Sequence, residues 1–175
     1  SMLEDGKKLH AENPDYYYLN TDTKILCEYV LRPYLRQMTG ESFIIDSEKK
    51  MSFTREQLVE VLTYIKDCYD GGVFEPAEDS ATFKGQIHTN PKWMDGKFVF
   101  AYGPSSSINL LMDAVPEAEC TVVQMPMAED RVNDGFFADT PQYMTVNKNS
   151  EHVEEAVDFL NYFYNNAEAQ ETLCL

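Results

Sequence analysis

Trp93-Met94-Asp95-Gly96-Lys97-Phe98-Val99-Phe100-Ala101-Tyr102-Gly103-Pro104-Ser105-Ser106-Ser107 is the stretch on which the fold turns. Asp95-Gly96 reads as a turn, and Phe98 to Tyr102 is apolar at successive positions. That continuity predicts an interior strand with both faces covered. Gly103-Pro104 ends it, and Ile108, Leu111, Met112 and Val115 then recur on one face of a short helix. A strand that runs through Ser105, Ser106 and Ser107 into a helix places hydroxyls and free backbone N–H groups at its carboxyl end. Open α/β sheets take ligands at that edge. Hydroxyls beside N–H donors suit a neutral, hydroxyl-rich ligand, whereas a helix dipole alone suits an anion.

Upstream, residues 2–12 read as a short helix weakened by Gly6 and stopped at Asn13-Pro14. Tyr16 to Leu19 follows as an extended or strand segment. Asp22 caps a helix carrying Ile25, Leu26, Tyr29 and Val30, which Pro33 kinks or restarts. Thr54 to Tyr69 is a helix with Leu58, Val61, Leu62 and Ile65 on one stripe. Thr54 and Gln57 form its capping box, and Gly71-Gly72 stops it. Residues 76–91 read as loop. Downstream, Cys120 to Met125 reads as a strand ended by Pro126, and residues 127–141 as a polar loop. Gln142 to Asn147 is the last strand. A helix with Val153, Ala156, Val157, Leu160 and Tyr164 on one side runs to a break at Asn165-Asn166, and a short final helix closes the chain. Alternating strands and helices make the class α/β.

The chain has 175 residues, 43% hydrophobic and 25% charged, a globular composition of about one domain. Thirty Asp and Glu against 14 Lys and Arg leave a net charge of −16. That balance argues against nucleic acid and anionic membrane surfaces as partners. No stretch reaches the roughly 18 apolar residues of a membrane span. Ser1-Met2-Leu3-Glu4-Asp5 does not read as a signal peptide, and Ser1 before Met2 reads as a tag scar. Cys27, Cys68, Cys120 and Cys174 form no CxxC pair, and His10, His88 and His152 are scattered. No metal site and no cofactor is expected, and the thiols read as small apolar residues.

No catalytic residue is assigned. The chain lacks a GxSxG elbow, a GxxxxGK[ST] loop, a GxGxxG fingerprint and an HExxH motif. Glu78-Asp79 and Glu129-Asp130 could form the carboxylate pair of a glycosidase, but an acidic chain offers many chance pairs on its solvated surface. Candidate ligand contacts are Trp93, Tyr102, Ser105, Ser106, Phe136 and Phe137. Aromatic faces pack on the apolar faces of sugar rings while hydroxyls fix their orientation. The plainer alternative leaves Trp93 and Tyr102 as core or rim residues.

Several of these segments together resemble one family. "FTREQLVEVLTYIKDCYDGGVFEP", "KWMDGKFVFAYGPSSS", "CTVVQMP" and "YMTVNKNSEHVEEAVDFLNYFYNNAEAQETL" are similar, in that order, to segments of the bacterial extracellular solute-binding proteins of sugar ABC importers, the maltose-binding-protein-like group. The resemblance runs from about Leu19 to Leu173. It implies a type II periplasmic-binding-protein-like lobe, with helices packed on a small mixed sheet. Residues 1–175 would be a single truncated α/β domain, the C-terminal part of a two-lobed protein, whose chain crosses between lobes near 125–126. It implies a non-catalytic component that binds an oligosaccharide or another small hydroxylated solute and serves an ABC permease. It further implies a full-length protein that is extracellular and lipid-anchored. The family often has an aromatic directly after the strand where this chain has Ser105 to Ser107. With the other lobe absent, the apolar faces at Val153, Val157 and Leu160 need cover, from repacking or from a second copy in a homodimer. Two rival readings are a carbohydrate hydrolase with a carboxylate pair and a self-associating interaction module without ligand.

Overall fold

The computed structural model describes residues 1–45, 48–83, 86–136 and 144–173. The chain divides into two compact units, Ser1–Phe137 and Ala138–Leu175.

In the first unit the Ser1 hydroxyl accepts the Glu4 N–H and opens helix α1 (Met2–Glu12) with a capping box. Gly6 serves this helix rather than weakening it. It is buried against Val73, where a Cβ would meet Val73 Cγ1 at 2.6 Å. The missing side chain lets α1 approach the core. Strand β1 (Tyr17–Leu19) follows. Asp22 Oδ1 then accepts the Ile25 N–H at 2.8 Å and caps α2 (Thr23–Ile25). The helix continues through a widened π turn, Leu26–Leu31, into α3 (Arg32–Thr39). Pro33 has no N–H for the Tyr29 carbonyl, and the wider turn absorbs that loss, so Pro33 restarts the helix. Gly40 ends α3 in the left-handed region, at φ 80°.

Strands β2 (Ile44–Ile45) and β3 (Lys50–Met51) form a small antiparallel hairpin. Helix α4 (Arg55–Asp70) starts on the Thr54–Gln57 capping box, with Thr54 N–H donating to Gln57 Oε1 at 2.8 Å. It buries Val61 and Cys68. The 76–91 segment is not all loop. It contains α5 (Ala77–Ala81) and a single turn at Ile87–Thr89, and α6 (Pro91–Met94) begins on an Asn90 cap. Asn and Pro, read in sequence as breakers, here start helical turns.

Strand β4 (Phe98–Phe100) pairs in parallel with β1, Tyr17 opposite Phe98 and Leu19 opposite Phe100. On the far side Leu19 bridges Phe74. Among the described residues this order puts β1 in the middle and β4 at the edge, so the expected interior strand is an edge strand with Val99 46% exposed. A continuous apolar run does not reveal which neighbour is missing. Leu19, Val30, Cys68, Val73 and Phe74 form the core. After a single turn at Ser105–Ser107 comes α7 (Ile108–Asp113). The expected strand at 120–125 is not formed. The segment has no ladder partner among the described residues and leaves Val122 and Val123 exposed. β-branched residues favour strands only where an edge is free to pair.

In the second unit α8 (Val153–Asn165) and α9 (Ala167–Leu173) flank Asn166, whose side chain accepts the Ala169 N–H. Gln142 and Tyr143 of the expected last strand lie outside the described residues, and 144–147 form no strand. Helix α8 buries no residue fully and exposes Val157, Phe159 and Tyr162.

The class is α/β as expected: helices pack around a small parallel sheet, with a separate antiparallel hairpin. Cys68 is buried in the core, Cys27 is exposed, and Cys120 is half-buried. All three are free thiols. Cys174 lies outside the described residues.

Candidate functional site

Parallel strands β1 and β4 end at Leu19 and Phe100, and the chain beyond each reaches the same edge. Past β1, Asn20, Thr21 and Asp22 are buried and lead into the long helix. Past β4 comes Tyr102. At this edge a hollow of about 230 Å³ opens to solvent. Its wall is aromatic: Tyr29 from the π turn, Tyr34 from α3, Tyr64 from α4 and Tyr102. Met125, Pro126, Met127 and Ala128 run along its side. The Tyr34 and Tyr64 rings meet edge to face, with centroids 5.5 Å apart at 87°. Tyr64 and Tyr102 also pack on the core, which fixes their rings. Burial raises all four phenols above the ordinary tyrosine range, so they stay neutral hydroxyl donors.

Gln37 closes the wall and is almost fully buried. Its Nε2 donates to the Pro126 carbonyl at 3.1 Å and the Asp134 carbonyl at 3.2 Å, and its Oε1 accepts the Ala128 N–H at 2.8 Å. The Val132 N–H donates to the Gln37 carbonyl at 2.8 Å. Gly135 lies directly on Pro33 and Gln37 at φ 76°, where a Cβ would meet the Pro33 carbonyl at 2.7 Å. One side chain thus straps the segment from Pro126 to Asp134 onto α3.

A second polar cluster lies outside the hollow's lining. Glu75 is fully buried beside the strand ends. It accepts from Asn20, from Ser80 at 2.9 Å, from Asn90 at 3.2 Å and from the Lys92 ammonium at 2.7 Å. Lys92 also pairs with Asp79 at 3.0 Å. Burial works against the Lys92 charge, but the two carboxylates outweigh it and hold its pKa above the usual lysine value. The network fixes α6, and so the position of Trp93.

Of the six residues expected to touch ligand, Tyr102 lines the hollow. Trp93 is half-buried outside it, and its Nε1–H donates to the Leu111 carbonyl at 2.9 Å, tying α6 to α7. Ser105 and Ser106 are exposed beyond Tyr102, and their hydroxyls hold no hydrogen bond among the described residues. Phe136 follows Gly135 with its side chain half in solvent. Phe137 lies outside the described residues. Tyr29, Tyr34, Tyr64 and Gln37 were not anticipated. The available signal was the spacing of Tyr29, Pro33 and Gln37, four residues apart on one helix face, a pattern that also reads as core.

Among the described residues no Asp or Glu lines the hollow, and no group of His, Cys, Asp and Glu could hold a metal ion. No helix there is long and apolar enough to cross a membrane. A wider, more open depression of about 480 Å³ along Gln124 to Asp134 is lined mostly by polar and charged side chains and holds no aromatic ring among the described residues.

The family model of the bacterial extracellular solute-binding proteins matches residues 6–175. The chain belongs to that family. Among solved structures it is similar to a periplasmic oligogalacturonide-binding protein from Yersinia enterocolitica, in complex with saturated digalacturonic acid. The TM-score is 0.80, at 24% identity over 98% of this chain and 43% of that one. That likeness establishes the periplasmic-binding-protein fold, and the solute-binding chain described here spans less than half the length of its neighbour. Among curated proteins no sequence matches.

Proposed function

We propose that this solute-binding chain supplies one wall of a carbohydrate site, in an extracellular protein that delivers an oligosaccharide to an ABC permease without chemical change. The observation that carries the reading is Tyr102. It stands at the carboxyl edge of a parallel sheet and forms an aromatic hollow with Tyr29 and Tyr34. Flat rings with neutral hydroxyls stack on a pyranose and hydrogen-bond its rim. The bound digalacturonic acid of the structural neighbour is itself a carbohydrate, which favours the same ligand class here.

At about 230 Å³ the hollow falls below the roughly 300–1,000 Å³ of a complete ligand pocket. It is a seat for one sugar ring, and the rest of the oligosaccharide would lie outward. We assign the free hydroxyls of Ser105 and Ser106 and the half-exposed Phe136 to that outer part, with Trp93 holding α7 in place behind the serines. The chain segment at Met125-Pro126 is assigned as the crossing between lobes in the full-length protein. Secretion and a lipid anchor belong to the same proposal.

Calorimetric titration of the chain with a panel of di- and trisaccharides tests it. The reading expects heat from at least one sugar and a loss of about fivefold in affinity in Tyr34→Ala, the worth of one stacking contact. Turnover of the sugar, abolished by substitution of one carboxylate, would replace the reading with a hydrolase.

A further inference from the structure

We propose, resting on the carbohydrate reading above, that the hollow selects neutral sugars against uronates. A carboxylate that leaves water for a partly buried wall needs a cation or several charge-assisted donors. Among the described residues that line the hollow there is no Lys, Arg or His side chain. The ammonium of Ser1 stands at the rim, and it is already paired with Glu4 and Asp5. The arginines adjoining the wall in sequence are not part of it. Arg32 lies over the Phe43 ring, Arg36 is outside the lining, and Arg131 donates to the Ala128 carbonyl and lines the adjoining depression, which meets the hollow at Met127, beside the carboxylates of Glu129 and Asp134. Gln37 is the one amide side chain in the described lining, and its N–H donors are taken by two backbone carbonyls.

What remains is four phenols, and burial keeps each of them protonated. They offer a pyranose its stacking faces and single, uncharged hydrogen bonds, which suit CH₂OH and ring hydroxyls. The chain as a whole adds a field of the wrong sign for an acid sugar, with 30 acidic residues against 14 basic ones. The local and the global electrostatics therefore point the same way.

Matched sugar pairs separate this inference from the reading beneath it. The full chain is titrated by calorimetry with galactobiose, cellobiose and mannobiose, and with the corresponding diuronates, at 0.15 M and 1 M NaCl. The inference expects at least one neutral disaccharide to bind ten or more times tighter than its acid twin, and the preference to persist at 1 M NaCl, because it comes from the wall rather than from long-range repulsion. Met127→Lys, which puts a cation in the lining, is expected to improve the acid twin at least threefold. A diuronate that binds as well as its neutral twin, or an acid twin unmoved by Met127→Lys, overturns the neutral-sugar inference and leaves the carbohydrate reading standing. Binding of neither class removes the carbohydrate reading, and the inference falls with it.

Discussion

Gln37 Oε1 accepts the Ala128 N–H at 2.8 Å across 91 residues of chain. The same amide donates to the carbonyls of Pro126 and Asp134, so a single buried side chain holds the segment beside the hollow. Gln37→Leu keeps the volume and strands these backbone groups. We expect a loss of about 2 kcal/mol, from roughly 1–3 for each buried group left unpaired, partly relieved by water. Urea unfolding measures it, and hydrogen exchange at the Ala128 amide should accelerate. An unchanged urea midpoint would show that the strap contributes nothing.

Glu75→Ala leaves Asn20, Ser80 and Asn90 without their common acceptor and removes the buried partner of Lys92. Breaking a buried pair costs about 3–5 kcal/mol. The lower end applies, because one third of the Lys92 side chain reaches solvent and Asp79 remains its partner. Thermal or urea unfolding reads the loss, which should greatly exceed that of Glu78→Ala on the exposed side of α5.

Burial pushes the Cys68 thiol up to about 11 from an ordinary value of 9.0, and it raises Tyr64 and Tyr102 as well. In each case the folded state favours the protonated form. That stability is complete below the unfolded pKa and is lost as the pH climbs toward the folded one. The chain should therefore weaken from about pH 9 upward, as read by the urea midpoint across pH 7 to 11. At pH 8 a maleimide should label exposed Cys27 promptly and Cys68 only on unfolding. Equal labelling rates would contradict the buried, protonated thiol.

Phe159 and Tyr162 stand exposed one turn apart on one face of α8. In the isolated chain we expect a second copy to cover this face, because apolar patches of that kind rarely stay open. Light scattering should show mass rising with concentration, and Phe159→Ser with Tyr162→Ser should shift it toward the monomer. A monodisperse monomer at all concentrations would argue against self-association.

Local signals carried much of this fold. The Thr54–Gln57 box, the Asp22 cap, the restart at Pro33 and the break at Asn166 depend on residues within one turn, and the helices begin and end where those residues stand. Strand partners depend on distant chain. Among the described residues Val99 lies at an edge and Val122 has no strand partner, although both sit in runs of strand-forming residues. The hollow was legible only through Tyr102. Tyr29, Tyr34 and Tyr64 carry the ordinary helical stripe of core aromatics, and nothing in their spacing shows that the stripe is left partly uncovered. Glu75 gave no signal, and Gln37 gave only a helical spacing that also reads as core, since their partners lie up to 97 residues away.

The most direct measurement is an NMR titration of the chain labelled with ¹³C on its tyrosine rings, using the sugar that binds most tightly. The account predicts saturable shifts at Tyr102, Tyr34 and Tyr29, with one common dissociation constant. Sugar binding that leaves those three rings unmoved would contradict it.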